Sequence, residues 1–496
     1  MFVILLVILI PLVIFYQIQR RKRYGEFWKY VMAIPGPKGY PLVGTNNIFH
    51  TQESMFEEDR ERGKTYFPIY KTWSLDLASV ALIIPEDIQL VLNNNKHINK
   101  SMFYDFLHSW LGSGLLTSGG AKWHKRRKIL TPAFHFNILQ EFIEILNRET
   151  QILVENLSKI CDQPFVNVVK PITEYTLFSI GETSLGVQLR EYSNCSQYKQ
   201  SVYDFGESFT YKIARPWLWI PVIYKSSHRY QKDKKTVKNL HDFSMSVIKE
   251  RQKLFTEVKS NGSYSERKRL ALLDLMLKSY ENGADIDIEG IREEVDTFIF
   301  EGHDTTSVSL CYTLMVLANE QKIQEEIYEE IISIVGDSSI PTYNELGELK
   351  FMERCIKESL RLYPSVPVIG RVAGEEIKTK SGYTIPKGCN ISIMFYDLHR
   401  RPEIWKNPEK FDPDRFLQDN VAKRHPFAYL PFSAGSRNCI GQRFALLELK
   451  AALFGILRNF KLLPVDKPED MKYKTDLVLR PAGEIKVKFV PRLINV

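Results

Sequence analysis

One ten-residue stretch constrains this chain more than any other. Residues 432 to 441 read Phe432-Ser433-Ala434-Gly435-Ser436-Arg437-Asn438-Cys439-Ile440-Gly441, and the strong helix former Phe444-Ala445-Leu446-Leu447-Glu448-Leu449 follows. The cysteine therefore precedes a helix amino terminus, where free N–H groups and the positive end of the helix dipole favour a thiolate over a thiol. Gly435 and Gly441 lack a Cβ, so the loop can turn tightly and a flat group can lie against its backbone, while Arg437 offers a cation to a carboxylate. A lone cysteine before a helix is more often a buried small residue than a ligand. Phe, Gly, Arg, Cys and Gly at these five fixed positions, however, arise by chance on the order of once in ten thousand chains of this length.

The other cysteines, at 161, 195, 311, 355 and 389, form no C-x-x-C pair and no regular spacing. Neither a disulfide framework nor a zinc knuckle is implied, and the pattern suits a reducing compartment.

A second constellation lies at residues 294 to 307, inside a long helical stretch with Asp287 as its predicted cap. Glu301, Asp304 and Thr305 stand at i, i+3 and i+4 and are placed on one helix face. Gly302, Thr305 and Thr306 lower helix stability in mid-run, so a local distortion with room for a small molecule is expected. Without the cysteine loop, a solvent-facing Asp304 and a back-bonded Thr305 would be the default readings.

The two constellations together resemble the cytochrome P450 family, whose haem-ligand loop has the form F-x-x-G-x-R-x-C-x-G. Position 436 is Ser where many similar members have Pro. The resemblance implies that Cys439 is the thiolate ligand of haem b, with Phe432, Gly435, Arg437 and Gly441 shaping its loop. Thiolate ligation favours O–O cleavage and turns haem into an oxidant. It further implies that Asp304 and Thr305 are the acid and alcohol that relay protons to dioxygen. Cleavage needs two protons delivered into an apolar pocket, and a carboxylate, a hydroxyl and ordered water form a minimal relay. Glu301 departs from the small residue common in the superfamily, and the run Glu301-Gly302-His303-Asp304-Thr305-Thr306 resembles family 4, the fatty-acid ω-hydroxylases. There this glutamate can esterify a haem methyl group. His303 is read as structural.

Three further motifs stand in the family's order. Trp123 and Arg127 match the W-x-x-x-R clasp of the haem propionates, and Arg371 is a third cation for them. Glu358 and Arg361 form the E-x-x-R pair, joined by Arg415 in a meander where Asp414 replaces the commoner Glu. Taken alone, an i, i+3 pair is usually a surface salt bridge of little worth. Lys122, Lys125, Arg126 and Lys128 are read as a basic patch on the proximal surface, for an acidic flavoprotein reductase. NADPH thus acts only through NADPH-cytochrome P450 reductase, with cytochrome b5 as an additional donor.

The amino terminus, Met1 to Tyr16, carries no charge and precedes Arg20, Arg21, Lys22 and Arg23. The basic cluster follows the apolar run and no small-residue cleavage site ends it, so a retained anchor is favoured over a cleaved signal. The positive-inside rule then sets a single-pass protein in the endoplasmic reticulum membrane, catalytic domain on the cytosolic face. Residues 1–19 are assigned as transmembrane anchor, 20–34 as basic juxtamembrane linker and 35–496 as one catalytic domain, entered through a stiff hinge at Ile34 to Pro41.

That domain is expected to be mainly α with a small β part, the cytochrome P450 fold. Strand-like alternation is confined to segments around 66–84 and 376–394, while Ile323, Ile327, Ile331 and Ile334 mark a helix that stops at Gly336. Lys259 to Arg269 is read as a solvated loop. The formal charge of +8 comes half from the residue 20–23 cluster and carries no nucleic-acid motif, so nucleic acid is not implied. Phe103 to Leu116 and Ser208 to Trp219 match the family's substrate-contacting segments, and Pro216 to Pro221 is read as dipping into the bilayer.

The expected activity is insertion of one oxygen atom from O2 into a small apolar substrate, ω-hydroxylation of fatty acids or related lipids foremost. Oxidation of foreign compounds or terpenoid hormones fits the same apolar pocket. A haem-thiolate sensor or carrier without turnover is the non-enzymatic alternative, against which the Asp304 and Thr305 pair argues.

Overall fold

Helical periodicity accounts for most of the chain in the computed structural model, which describes residues 11–12, 14–16, 18–19, 22, 25–40, 44–45, 50–260 and 271–492. The expected anchor (Met1 to Ile10 in particular), all of the basic cluster except Lys22, and most of the Lys259 to Arg269 stretch lie outside the described residues. Among the described residues no helix is long and apolar enough to cross a membrane.

The domain begins earlier than its prolines suggest. Helix α1 (Gly25–Ala33) buries Trp28 and Val31 against the sheet residues Ile69, Val80 and Ile391. Residues 25–34 are therefore part of the folded body and not a linker, because two large apolar side chains on one helix face gain more from burial than a free tether would. The residues read as a hinge are likewise docked. Ile34 is buried, and the Pro35 carbonyl accepts from Lys71 N at 2.8 Å, which pins the strap along the first strand.

Strands β1 (Ile69–Ser74) and β2 (Leu77–Leu82) pair as an antiparallel hairpin where alternation predicted strands. Helices α2 (Gly120–Leu130), α3 (Phe136–Ser158), α4 (Val169–Ile180), α5 (Cys195–Ile213) and α6 (His228–Ser260) follow, and then the long α7 (Ile288–Asn319). At 32 residues α7 spans about 48 Å. It is buried nearly all round, and Asp287 caps it by accepting from Gly290 N at 2.8 Å, as predicted. Helix α8 (Gln321–Val335) is the isoleucine helix, ended by Gly336 at φ 64°, a conformation that favours glycine.

Helix α9 (Lys350–Leu362) leads into β3 (Val368–Val372), and β4 (Asn390–Met394) closes the sheet in the order β1-β2-β4-β3. The 376–394 segment thus holds β4 and a small hairpin, Ile377–Lys378 with Thr384–Ile385. Strand β3 escaped the sequence reading because prolines and a glycine interrupt its alternation. Helix α10 (Gln442–Asn459) follows the cysteine loop. The chain ends on β5 (Phe460–Pro464) and β6 (Lys486–Pro491), which form an antiparallel sheet with Val166–Asn167.

The Glu358 and Arg361 pair is a core interaction, not a surface one. Both side chains are 0% exposed. Arg361 reaches Glu358 through Nε (2.7 Å) and Nη2 (2.8 Å), while Arg415 Nε (3.1 Å) and Asp412 N (2.9 Å) also donate to the carboxylate. Arg361 Nη1 donates to the His399 carbonyl at 2.7 Å, and His399 Nε2 accepts from Leu430 N at 2.9 Å, two residues before the cysteine loop begins. Asp414 stands outside the network, exposed beside Arg354. Arg361→Ala leaves a buried carboxylate short of its main cation, and we expect it to cost about 3–5 kcal/mol in denaturant unfolding. Arg361→Lys should recover only part, since one ammonium cannot donate at two places at once.

Candidate active site

Between α7 and the cysteine loop opens a cavity with about 1340 Å³ of atom-free space, part of it continuous with solvent. Its walls include Tyr104, Leu115 and Leu116, Thr305 of α7, Ile369 of β3 and the loop residues Phe432 and Cys439. The loop closes on itself through Cys439 N donating to Phe432 O at 2.9 Å. Gly435, at φ 71°, presses on the backbone so closely that a Cβ would meet Leu92 O at 2.0 Å. Gly441 has no such crowding. Its missing side chain keeps the cavity floor low beside Cys439, which is accessible to the cavity although protein surrounds it.

Sequence reasoning placed a thiolate at this helix start, but the structure adds an opposing effect. Burial, aided by Glu301, pushes the Cys439 thiol up to about 11, while the Gly441 N–H and Arg127 pull the other way. Desolvation exceeds the helix-terminus effect here, so a stable thiolate requires a cation at the sulfur.

The expected clasp residues converge on the same space. Trp123, Arg127, Arg371 and Arg437 all line the cavity. Arg127 donates to both Asn438 O and Asn438 Oδ1 at 3.0 Å, holding the residue before the cysteine. Arg437 donates to Leu115 O at 3.1 Å and to Ser118 O, and its guanidinium lies 4.5 Å from the Trp123 ring centre. Its buried Nε finds no protein partner. The wall segment is clamped from the other side too, since Glu293 accepts from Ser113 N (2.8 Å) and Glu294 from Leu115 N (3.0 Å).

Lys100 is a fourth cavity cation that the sequence did not reveal. It lies 4.5 Å from the Tyr104 ring centre, and burial with neighbouring Arg371 and Arg437 holds its pKa well below the usual lysine range. A single lysine in an irregular stretch carries no spacing signal. A thiol, a carboxyl and four cations around an apolar slot, one cation with an orphaned N–H, fit a planar iron porphyrin with two carboxylates.

Helix α7 departs from the reading in two ways. Glu301 and Thr305 face the cavity, but Asp304 does not share their face. It points to the opposite side, where Arg480 grips it through Nη1 (3.1 Å) and Nη2 (2.7 Å) while also donating Nε to Asp476 (2.8 Å). This partner lies 176 positions away, beyond any local spacing. Nor is the helix interrupted. Thr305 and Thr306 back-bond to Glu301 O (2.7 Å) and Gly302 O (2.8 Å), and Gly302 serves packing, since a Cβ there would meet Ile180 of α4 at 2.5 Å. His303 is buried and bonds Ile299 O, a structural role.

The basic patch is also reduced. Lys122 pairs with Glu293 (2.9 Å), Lys125 with Asp285 (2.6 Å), and Arg126 is buried near Glu294. Acidic residues at the start of α7 and just before it, remote in sequence, neutralise a charge run that reads as open in the α2 segment alone.

The family described as Cytochrome P450 matches residues 34–489. Cytochrome P450 4c3 of Drosophila melanogaster is 39% identical over 507 residues, covering 98% of this chain and 94% of that protein. Cytochrome P450 4V2 of Homo sapiens is 39% identical over 491 residues, covering 96% and 93%, and cytochrome P450 4c21 of Blattella germanica 38% over 491, covering 97% of each.

Three carboxyls of α7, Glu294, Asp296 and Glu301, are each pushed up to about 7, mainly by burial. Unfolded, they titrate near about 4. Between those values the native chain keeps protons that the unfolded chain has lost, so stability falls as pH rises through that window. In Glu301→Gln the thermal midpoint of the apoprotein should decline less steeply than in wild type between about pH 5 and 8. Parallel slopes would remove Glu301 from the account.

Proposed function

This chain belongs to the cytochrome P450 family and is a cytochrome P450 monooxygenase, and we propose that it hydroxylates fatty acids or related lipids at or near the chain terminus. The observation that carries the proposal is Glu301, a carboxyl on the cavity wall where a small residue is usual, within an apolar slot. When bound to Cys439, haem b supplies the oxidant that inserts one oxygen atom from O2. Arg127, Arg371, Arg437 and Lys100 hold its carboxylates, and Trp123 packs along the clasp. Apolar walls exclude water, which strengthens every charge interaction inside.

Thr305 presents its hydroxyl to the cavity and passes a proton inward. Asp304 replenishes it from behind α7, where a second cavity is lined by Tyr203, Ser307, Lys474, Arg480 and Glu484. Arg480, gripping Asp304 and Asp476 together, sets when that carboxylate is available. Glu301 joins a haem methyl carbon through an ester and so narrows the approach to the terminal carbon. Acid denaturation and organic extraction should leave haem on the wild-type polypeptide and release it from Glu301→Ala. Free extraction from both would dismiss the ester.

Members of this family generally depend on a redox partner. NADPH-cytochrome P450 reductase fits the need for two external electrons per turnover, with cytochrome b5 as an additional donor. The amino-terminal segment anchors the protein in the endoplasmic reticulum membrane with the catalytic domain in the cytosol. Trp217, Ile220, Val222 and Ile223, all exposed, add a second apolar contact with the bilayer. Reconstitution with reductase, NADPH and saturated fatty acids of medium and long chain should give terminal alcohols as the main products. Oxidation confined to mid-chain carbons, or none with any fatty acid, would overturn the substrate assignment.

A further inference from the structure

Lys212, in the last turn of α5, is a half-buried cation without a counter-ion. Its ammonium lies 4.4 Å from the Phe106 ring centre and 4.0 Å from that of Tyr224. Among the described residues it makes no hydrogen bond and no ion pair. The carboxylate that acts on it is Asp233, and this is already engaged by Arg229 Nε (3.3 Å) and the Tyr224 hydroxyl (2.7 Å). Two aromatic faces hold an ammonium in place but replace its lost hydration only in part, so an arriving anion would gain a charge already stripped of water.

The place matters as much as the charge. Phe106 belongs to the turn Met102–Leu107, whose Tyr104 lines the main cavity. Phe103 and Phe106 meet the ring of Trp219 at 5.8 and 6.4 Å, and on the outer side of Trp219 lie the exposed Trp217, Ile220, Val222 and Ile223. Lys212 therefore stands between an apolar surface patch and the cavity wall. An amphiphile that enters tail first along these rings brings its head group to rest beside this ammonium.

We propose that Lys212, held between Phe106 and Tyr224, binds the carboxylate of a fatty-acid substrate whose tail runs past Tyr104 into the cavity. It thereby selects acids over neutral lipids of equal length. This inference rests on the fatty-acid reading above.

The test is an optical titration of the haem-loaded full chain in phosphatidylcholine vesicles with dodecanoic acid and with 1-dodecanol. Lys212→Gln should weaken dodecanoic acid binding about tenfold and leave dodecanol within about twofold, the size of one lost charge-assisted contact. Lys212→Arg should keep the preference for the acid. Equal effects on both ligands, or none, overturn the proposal. So does a variant whose acid preference is intact but whose affinity for vesicles containing phosphatidylserine drops, because the cation then serves a lipid head group. A wild type that binds the acid regardless of residue 212 removes only this inference. A wild type that binds neither ligand removes the substrate class with it.

Discussion

The Glu358 carboxylate lies fully out of water between two guanidinium groups and a backbone amide, and the cost of dehydrating these charges is offset only when all the contacts form together. That requirement makes the interaction cooperative and fixes where three distant segments meet. From Arg361 the connection passes through the His399 carbonyl and ring to Leu430, then into the cysteine loop. The loop has almost no regular structure of its own, a single turn at Gly435–Arg437. Its shape is imposed from outside, by this network behind it and by Arg127 and Arg437 in front.

A similar economy governs the cavity charges. Cys439 and Glu301 are both held toward their neutral forms by burial, while Lys100, Arg371 and Arg437 crowd one another. Each group alone is poorly placed. A dianionic macrocycle with a central cation would relieve both conflicts, meeting the guanidinium groups at its edge and the sulfur at its middle. The apoprotein is thus electrostatically frustrated in a way that the cofactor's own charge pattern would resolve.

How much of this was legible beforehand depended on whether a feature was local. The cysteine loop, the Asp287 cap, the isoleucine helix and the i, i+3 pair at Glu358 are all encoded within a few residues, and each is found where the spacing put it. Asp304 was misplaced because three and four residues along a helix are neighbouring positions, and only Arg480, from the far end of the chain, decides which side the carboxylate takes. Charge patterning failed at Lys122 and Lys125 for the same reason, their partners being on or beside another helix. Composition also misled at residues 25–40, where prolines and glycines suggested a free hinge but Trp28, Val31 and the Pro35 carbonyl dock the segment.

The clamp on residues 113–118 has a consequence for how selectivity arises. Glu293 and Glu294 hold this wall to α7, and Arg437 holds it to the cysteine loop, so floor, wall and ceiling move as one casting. Such a chamber cannot stretch for a bulkier guest. Its depth acts as a fixed gauge, and any adjustment to guests of different length falls to the softer aromatic gateway near Trp219, which is joined by ring contacts and not by ionic bolts.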